Sequence, residues 1–343
     1  MKHNLTDYTF ADLTEYFTAV NLPRFSAGQV FDWVYKKRVE EFNKMTNISK
    51  QTKEVLQENF SLTHLKLLKR EKSSDATEKF LWQLSDGSKI ESVLIPEKER
   101  LTLCLSTQVG CKFKCSFCLS GLKGFKRNLG AHEIIGQYLE VYAITKHRVT
   151  NIVFMGIGEP LDNFENTVKA ICIFREEKGL GLAKRRICIS TCGLVPEINK
   201  LAQLKLGIKL SISLHSANNL IRTQLMPINK RYPLAELIAS ARAFSAAEKY
   251  PVTFEYVLIS GINSDTQSAL ALVRLLRGIN AKINLMVYNC STLAFRPPSA
   301  KEVESFVAVL KKDKAFFTLR RTRGQDINAA CGQLRAIWEN VAN

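Results

Sequence analysis

At 343 residues, with 46% hydrophobic and 24% charged side chains, the chain lies in the ordinary globular range and outside the disordered, collagenous and coiled-coil classes. That length suits about two domains. Its 49 Lys and Arg against 32 Asp and Glu give a formal charge of +17, which is large for a small-molecule enzyme and points to a polyanionic partner such as nucleic acid. The excess is uneven. Residues 1–104 carry 16 basic and 15 acidic side chains, so nearly all of it belongs to the later part. No run approaches the ~18 apolar residues that cross a bilayer, and the opening MKHNLTDYTF has no apolar signal core. A cytoplasmic protein with no membrane partner is expected.

In chain order, Ser26 is the expected cap of a helix AGQVFDWVYKKR, with Val30, Phe31, Trp33 and Val34 on its apolar side and Lys36, Lys37 and Arg38 at its basic end. Residues 1–75 read as a small helical accessory domain for RNA. From about residue 78 the period becomes two, and EKFLWQLSDGSKIESVLIP predicts a hairpin around Asp86-Gly87 that connects, over 76–100, to a larger domain. Strands are expected near 102–106, 150–155, 186–191, 208–214, 252–259, 282–288 and 315–320, with helices 131–145, 164–177, 233–248, 265–277 and 299–311 between them. This alternation specifies a parallel sheet covered by helices, open or rolled towards a barrel, over 101–325. Chemistry then belongs at the C-terminal strand ends. Residues 326–343 form a C-terminal segment.

Nine cysteines stand at 104, 111, 115, 118, 172, 188, 192, 290 and 331. In a reducing compartment they suit metal or redox chemistry better than structural disulfides. Cys111, Cys115 and Cys118 form a CxxxCxxC loop just after the first strand of the larger domain. Three thiolates there could take zinc, copper(I) or an iron–sulfur cluster, whereas a structural zinc site would be closed by a fourth Cys or His. On residue type alone Cys104 suits a small core position, Glu91 a solvated strand and His215 a satisfied core histidine. Cys172, Cys188, Cys192 and Cys290 read as buried or incidental.

The CxxxCxxC loop, with an aromatic before its last cysteine, resembles the radical S-adenosylmethionine superfamily. Further segments resemble the bacterial adenine-C2 methyltransferases of 23S rRNA and tRNA: CLSTQVGC at 104–111, FMGIGEP at 154–160, STCG at 190–193, SLH at 213–215, LMPIN at 225–229 and RRTRGQDINAACGQL at 320–334. The likeness extends from the N-terminal unit to Leu334. It implies an α/β fold, a partial (β/α)6 barrel with a small N-terminal helical domain and a connecting β hairpin. It implies a 4Fe-4S cluster on Cys111, Cys115 and Cys118, and S-adenosylmethionine, two molecules per turnover, bound by Gly158, Glu159, Ser190, Ser213, Leu214, His215 and Asn289. It further implies Cys331 as a methyl carrier (S-methylcysteine), Cys104 as the thiol that resolves it through a transient disulfide, and Glu91 as proton acceptor. Implied partners are 23S rRNA, tRNA and an electron donor such as flavodoxin or ferredoxin, acting on a monomer.

The chain departs from the family pattern at Ile157, where methionine is common, at Cys192, an extra thiol, and at Cys290-Ser-Thr, where a proline turn is usual. Lys112, Lys114, Lys123, Lys126 and Arg127 around the cysteine loop, and Arg320, Arg321 and Arg323 ahead of Cys331, are expected to hold RNA phosphates while an adenine is extruded. Two alternatives stand beside this one. They are a carbon 8 methyltransferase of the antibiotic-resistance type and a non-catalytic zinc protein that binds RNA.

Overall fold

The computed structural model describes residues 2–62, 64–121, 124–248, 250–289, 295–320 and 323–334. Lys123, Cys290, Arg321 and residues 335–343 of the C-terminal segment lie outside them. Strands β1 (His3–Asn4) and β2 (Phe60–Ser61) pair in parallel around helices α1 (Phe10–Ala19), α2 (Phe25–Phe31) and α3 (Lys50–Asn59). Thr9 and Asp12 form a reciprocal capping box that starts α1, and Ser49 caps α3. Leu13, Phe17, Val30, Phe31 and Phe60 fill the small core beneath them. Asp7 ties this unit to the rest of the fold: its carboxylate accepts the backbone N–H of His132 at 2.8 Å and lies 2.8 Å from the imidazole Nδ1.

Ser26 is not a helix cap. The helix starts earlier, behind Pro23, with the Ser26 N–H already donating to the Pro23 carbonyl, and Ser26 is buried inside α2. The backbone then widens into a π-helical turn at Asp32–Lys37 that ends at Arg38, whose φ of 57° is left-handed.

Ten strands form one sheet: β3 (Lys66–Lys72), β4 (Glu78–Gln83), β5 (Lys89–Glu97), β6 (Arg100–Cys104), β9 (Asn151–Phe154), β10 (Ile187–Thr191), β11 (Lys209–Ser213), β12 (Val252–Leu258), β13 (Ala281–Val287) and β14 (Phe317–Arg320). From β6 to β14 the neighbours are all parallel and follow chain order. Helices α4 (Ala131–Thr145), α5 (Phe164–Arg175), α6 (Val195–Leu204), α7 (Asn219–Leu225), α8 (Leu234–Glu248), α9 (Thr266–Leu276) and α10 (Ala300–Lys312) connect them. The short β7 (Gln108–Gly110) and β8 (Phe125–Asn128) pair separately. The expected strands and helices of this region fall within two residues of these bounds.

The Asp86-Gly87 turn forms as expected, with β4 and β5 antiparallel. It is no mere connector, since β5 also pairs with β6 and carries the sheet onward to β3. β3 escaped prediction because it is an exposed edge strand whose charges mask any alternation, Arg70 pairing with Glu78 at 2.8 Å.

Seven parallel strands laid flat ~4.8 Å apart would separate β6 from β14 by roughly 29 Å. Yet Cys104 on β6 and Arg320 on β14 line one cavity and interact electrostatically. The sheet is therefore strongly curved, a partial barrel with β14 added as a further parallel strand.

Trp82 is fully buried in the antiparallel extension, stacked on Phe80 with its indole N–H on Ser92 Oγ at 2.7 Å. Trp82→Ala should lower stability by about 3–5 kcal/mol, read from urea unfolding. A loss below about 1 kcal/mol would show that the extension is not cooperative with the barrel.

Candidate active site

β7 and β8 clamp the base of the cysteine loop, where the Cys111 N–H donates to the Gly124 carbonyl at 2.9 Å. Inside the loop the Cys118 N–H donates to Cys115 O at 3.1 Å, and the Ser116 N–H reaches Leu225 O at 2.9 Å, fixing the turn against the barrel. Cys111, Cys115 and Cys118 line one cavity that opens to solvent.

Burial pushes the Cys111 thiol up to about 12, Cys115 well above the ordinary range, and Cys118 upward. They stay protonated until a soft metal displaces the protons. Three soft sulfur donors on one loop suit an iron–sulfur centre, in which each sulfur takes its own metal atom.

The C-terminal strand ends supply the polar wall. Ser190, Ser213, His215, Gly158, Glu159 and Asn289 all line the cavity. Gly158 has φ 102°, and a Cβ there would stand 2.5 Å from Cβ of Gln108, so the chain needs glycine to pass. Glu159 is buried and accepts the N–H groups of Leu161 at 3.0 Å and Cys192 at 2.7 Å. Burial raises its pKa and those bonds oppose the rise, which leaves a carboxylate suited to an ammonium ligand.

His215 accepts the Val257 N–H on Nδ1 at 3.0 Å, so its neutral ring carries the proton on Nε2, and Phe117 of the cysteine loop packs edge-on at 4.6 Å. The Asn289 side-chain nitrogen is buried with no hydrogen-bond partner among the described residues. An orphaned amide donor at a cavity wall is what a bound ligand satisfies. Leu214 differs. Its side chain is fully buried outside the cavity lining, and its N–H donates to Glu255 O at 3.0 Å.

Cys104, buried, and Cys331, exposed, both line the cavity as free thiols. Burial and then the neighbouring Cys331 push Cys104 up to about 12. Glu91 is buried on β5 outside the lining, 3.6 Å from the Lys79 ammonium. It shares a strand face with Val93, the register partner of Cys104, and with Ile95, which does line the cavity.

Several charges act differently from expectation. Arg127 is held by Glu133 at 2.7 and 2.8 Å and by Asp86 at 3.0 Å, Lys126 by Asp86 at 3.3 Å, and Lys112 by Asp162 at 2.5 Å. Asp86 and Asp162 come from distant parts of the chain, which adjacency in sequence conceals, whereas Glu133 lies in the first turn of α4 just after Arg127. Arg320 turns inward, its Nη1 donating to Cys331 Sγ at 3.5 Å, and its charge faces Glu255, a cavity residue that sequence reasoning missed. Cys192 is buried as expected and also lines the cavity, near Cys115 and Glu159.

Residues 105–273 match the radical SAM superfamily, and residues 3–62 match the family described as Ribosomal RNA large subunit methyltransferase N-terminal domain. The chain is 46% identical to a probable dual-specificity RNA methyltransferase RlmN of Spiroplasma citri, over 93% of each chain. The chain belongs to the RlmN family. It is also 42% identical to the dual-specificity RNA methyltransferase RlmN of Nitratiruptor sp., over 97% of each. A radical SAM methyltransferase from Sphaerobacter thermophilus superposes with a TM-score of 0.91 at 40% identity, covering 98% of this chain and 100% of that one. Like other RlmN proteins, this is a radical SAM RNA methyltransferase, and its superfamily implies an iron–sulfur cluster and S-adenosylmethionine. No helix among the described residues is long and apolar enough to cross a membrane.

Burial lowers His215 from 6.5 to about 3. As pH falls through 6.5 the unfolded chain takes up a proton that the fold refuses until about 3, so stability is lost across that window. His215→Gln should therefore flatten the stability-versus-pH slope of cluster-free protein between pH 6 and 4, by up to about 1.4 kcal/mol per pH unit. Identical slopes in urea unfolding would contradict the buried neutral imidazole.

Proposed function

We propose that this enzyme methylates carbon 2 of an adenine in 23S rRNA near the peptidyl transferase centre, and of the adenine next to the anticodon in tRNA. One observation carries the reading. A buried thiol on β6 and an exposed thiol beside β14 open on the cavity that the three-cysteine loop shares.

Carbon 2 of adenine lies between two ring nitrogens and has no lone pair with which to attack a sulfonium methyl. A radical route is needed. Bound to Cys111, Cys115 and Cys118, a 4Fe-4S cluster would supply, through S-adenosylmethionine on its unprotected iron, the one-electron chemistry that no side chain provides. Glu159, Ser190, Ser213, His215 and the unpaired Asn289 amide would hold that cofactor. Leu214 would contribute as packing beneath His215.

Cys331 is the exposed sulfur, so it takes a methyl from one S-adenosylmethionine by displacement, while a second molecule is consumed in activating that methyl. Arg320, donating to Cys331 Sγ, orients the sulfur for both steps. The methylene joined to Cys331 bonds to carbon 2 and Glu91 accepts the carbon 2 proton. Cys104 then attacks the Cys331 sulfur, the carbon–sulfur bond breaks, the methylene carbon takes a proton to become methyl, the one surplus electron would pass back to the cluster, and a Cys104–Cys331 disulfide is left. An electron donor such as flavodoxin or ferredoxin returns the thiols. We infer a cytoplasmic enzyme that acts as a monomer, a reading that the proposed rRNA and tRNA substrates support.

With unmodified rRNA and reductant, Cys331→Ala should yield no methyladenine, and Cys104→Ala should accumulate protein crosslinked to RNA on a denaturing gel. Mass spectrometry of nucleosides should give the carbon 2 isomer. Methylation by Cys331→Ala, or free product at normal yield from Cys104→Ala, would contradict the scheme; carbon 8 product would assign the enzyme to the resistance type.

A further inference from the structure

Lys79 on β4 is buried, with only 9% of its surface exposed. Its ammonium meets three oxygens: Glu71 Oε2 at 3.1 Å, Glu91 Oε1 at 3.6 Å and the Ile327 carbonyl at 2.6 Å. A buried ammonium persists only when so partnered. Two of the three lie on strands of the antiparallel extension. The third belongs to the segment that ends in Cys331.

That segment is held at both ends. Towards the extension, Asp326 accepts from Ser73 Oγ at 2.5 Å and the Ser74 N–H at 3.0 Å, and the Gly324 N–H donates to Asp75 at 3.1 Å. Towards the cysteine loop, the Leu119 N–H donates to Gly332 O at 2.8 Å and Ser120 Oγ to Leu334 O at 2.7 Å. Lys79 adds a contact at Ile327, next to Asp326.

We propose that Lys79 is a positioning residue that registers Glu91 against the Cys331 segment through its contacts with the Glu91 carboxylate and the Ile327 carbonyl. One cation thereby fixes the distance between the base and the carrier sulfur. This rests on the assignment of Glu91 as proton acceptor and Cys331 as carrier. Glu71 balances the charge, its carboxyl held below the ordinary range by bonds from Lys69 and Lys79 although burial works the other way.

The test uses full-length, cluster-loaded enzyme and three variants. Lys79→Met should raise hydrogen exchange across residues 324–334 by about tenfold, through loss of the bond to the Ile327 carbonyl. It should lower kcat for adenine methylation by at least about tenfold, with KM for S-adenosylmethionine within about twofold, because the geometry between two reacting groups is lost while the cofactor site is untouched. Lys79→Arg keeps the charge and should recover most of the protection and kcat, which also covers the case of a Met variant that folds poorly. Glu91→Gln should keep residues 324–334 protected yet stall with RNA attached. Unchanged exchange or unchanged kcat in Lys79→Met overturns the coupling. Normal turnover by Glu91→Gln instead overturns the base assignment beneath it, so the two failures are distinguishable.

Discussion

Three thiols on one tight loop, sharing one cavity, set the terms for the rest of the molecule. A metal centre held by three protein sulfurs keeps a coordination position for a ligand, and that position has to face open space rather than the protein interior. The β7–β8 clamp and the Cys118–Cys115 bond turn the loop towards the strand ends, and the sheet curves so that both of its parallel extremes border the same space. Without that curvature, Cys104 on β6 and Cys331 beside β14 could not border one cavity, as the proposed scheme requires.

Buried polar groups hold this arrangement. Glu159 gathers the N–H groups of Leu161 and Cys192, and the fully buried Arg222 donates to Asn229 Oδ1 at 2.8 Å and to the carbonyls of Cys192 at 2.9 Å and Ser213 at 3.2 Å. These bonds lock the ends of β10 and β11 beside the cavity. Each would be costly to break, since a buried charge loses all compensation when its partner goes. Rigidity on this wall contrasts with Cys331, which is exposed and held through its neighbours. Under the proposed scheme, a carrier that receives a methyl at one moment and meets adenine at another needs that difference.

Much of the barrel was legible because strand–helix alternation and apolar runs are local signals with a fixed period. The CxxxCxxC loop was legible because ligand spacing is also local. What escaped depends on contacts between distant segments. The charged edge strand Lys66–Lys72 carries no alternation, and Ser26 lost its capping role to a helix already begun behind Pro23. The basic residues near the cysteine loop looked unopposed until folding brought Asp86, Glu133 and Asp162 to them. Glu255 and Lys79 could not be singled out, and Arg320 was read as a phosphate contact and not as the partner of Cys331, because these roles come from burial and long-range contacts and not from any spacing. Cys192 was visible as an extra thiol, but only the fold shows it reaching the cavity.

The central claim is that one iron corner stays free of protein ligands. Electron–nuclear double resonance on the oxygen-free, reduced enzyme, mixed with S-adenosylmethionine labelled with nitrogen-15 and oxygen-17 in its methionine part, tests it directly. Both labels should couple to the cluster, showing that the cofactor chelates that iron. A cluster that shows neither coupling and is closed by a fourth cysteine, for which Cys192 is a candidate on the cavity wall, would contradict the account, as would protein that holds no cluster.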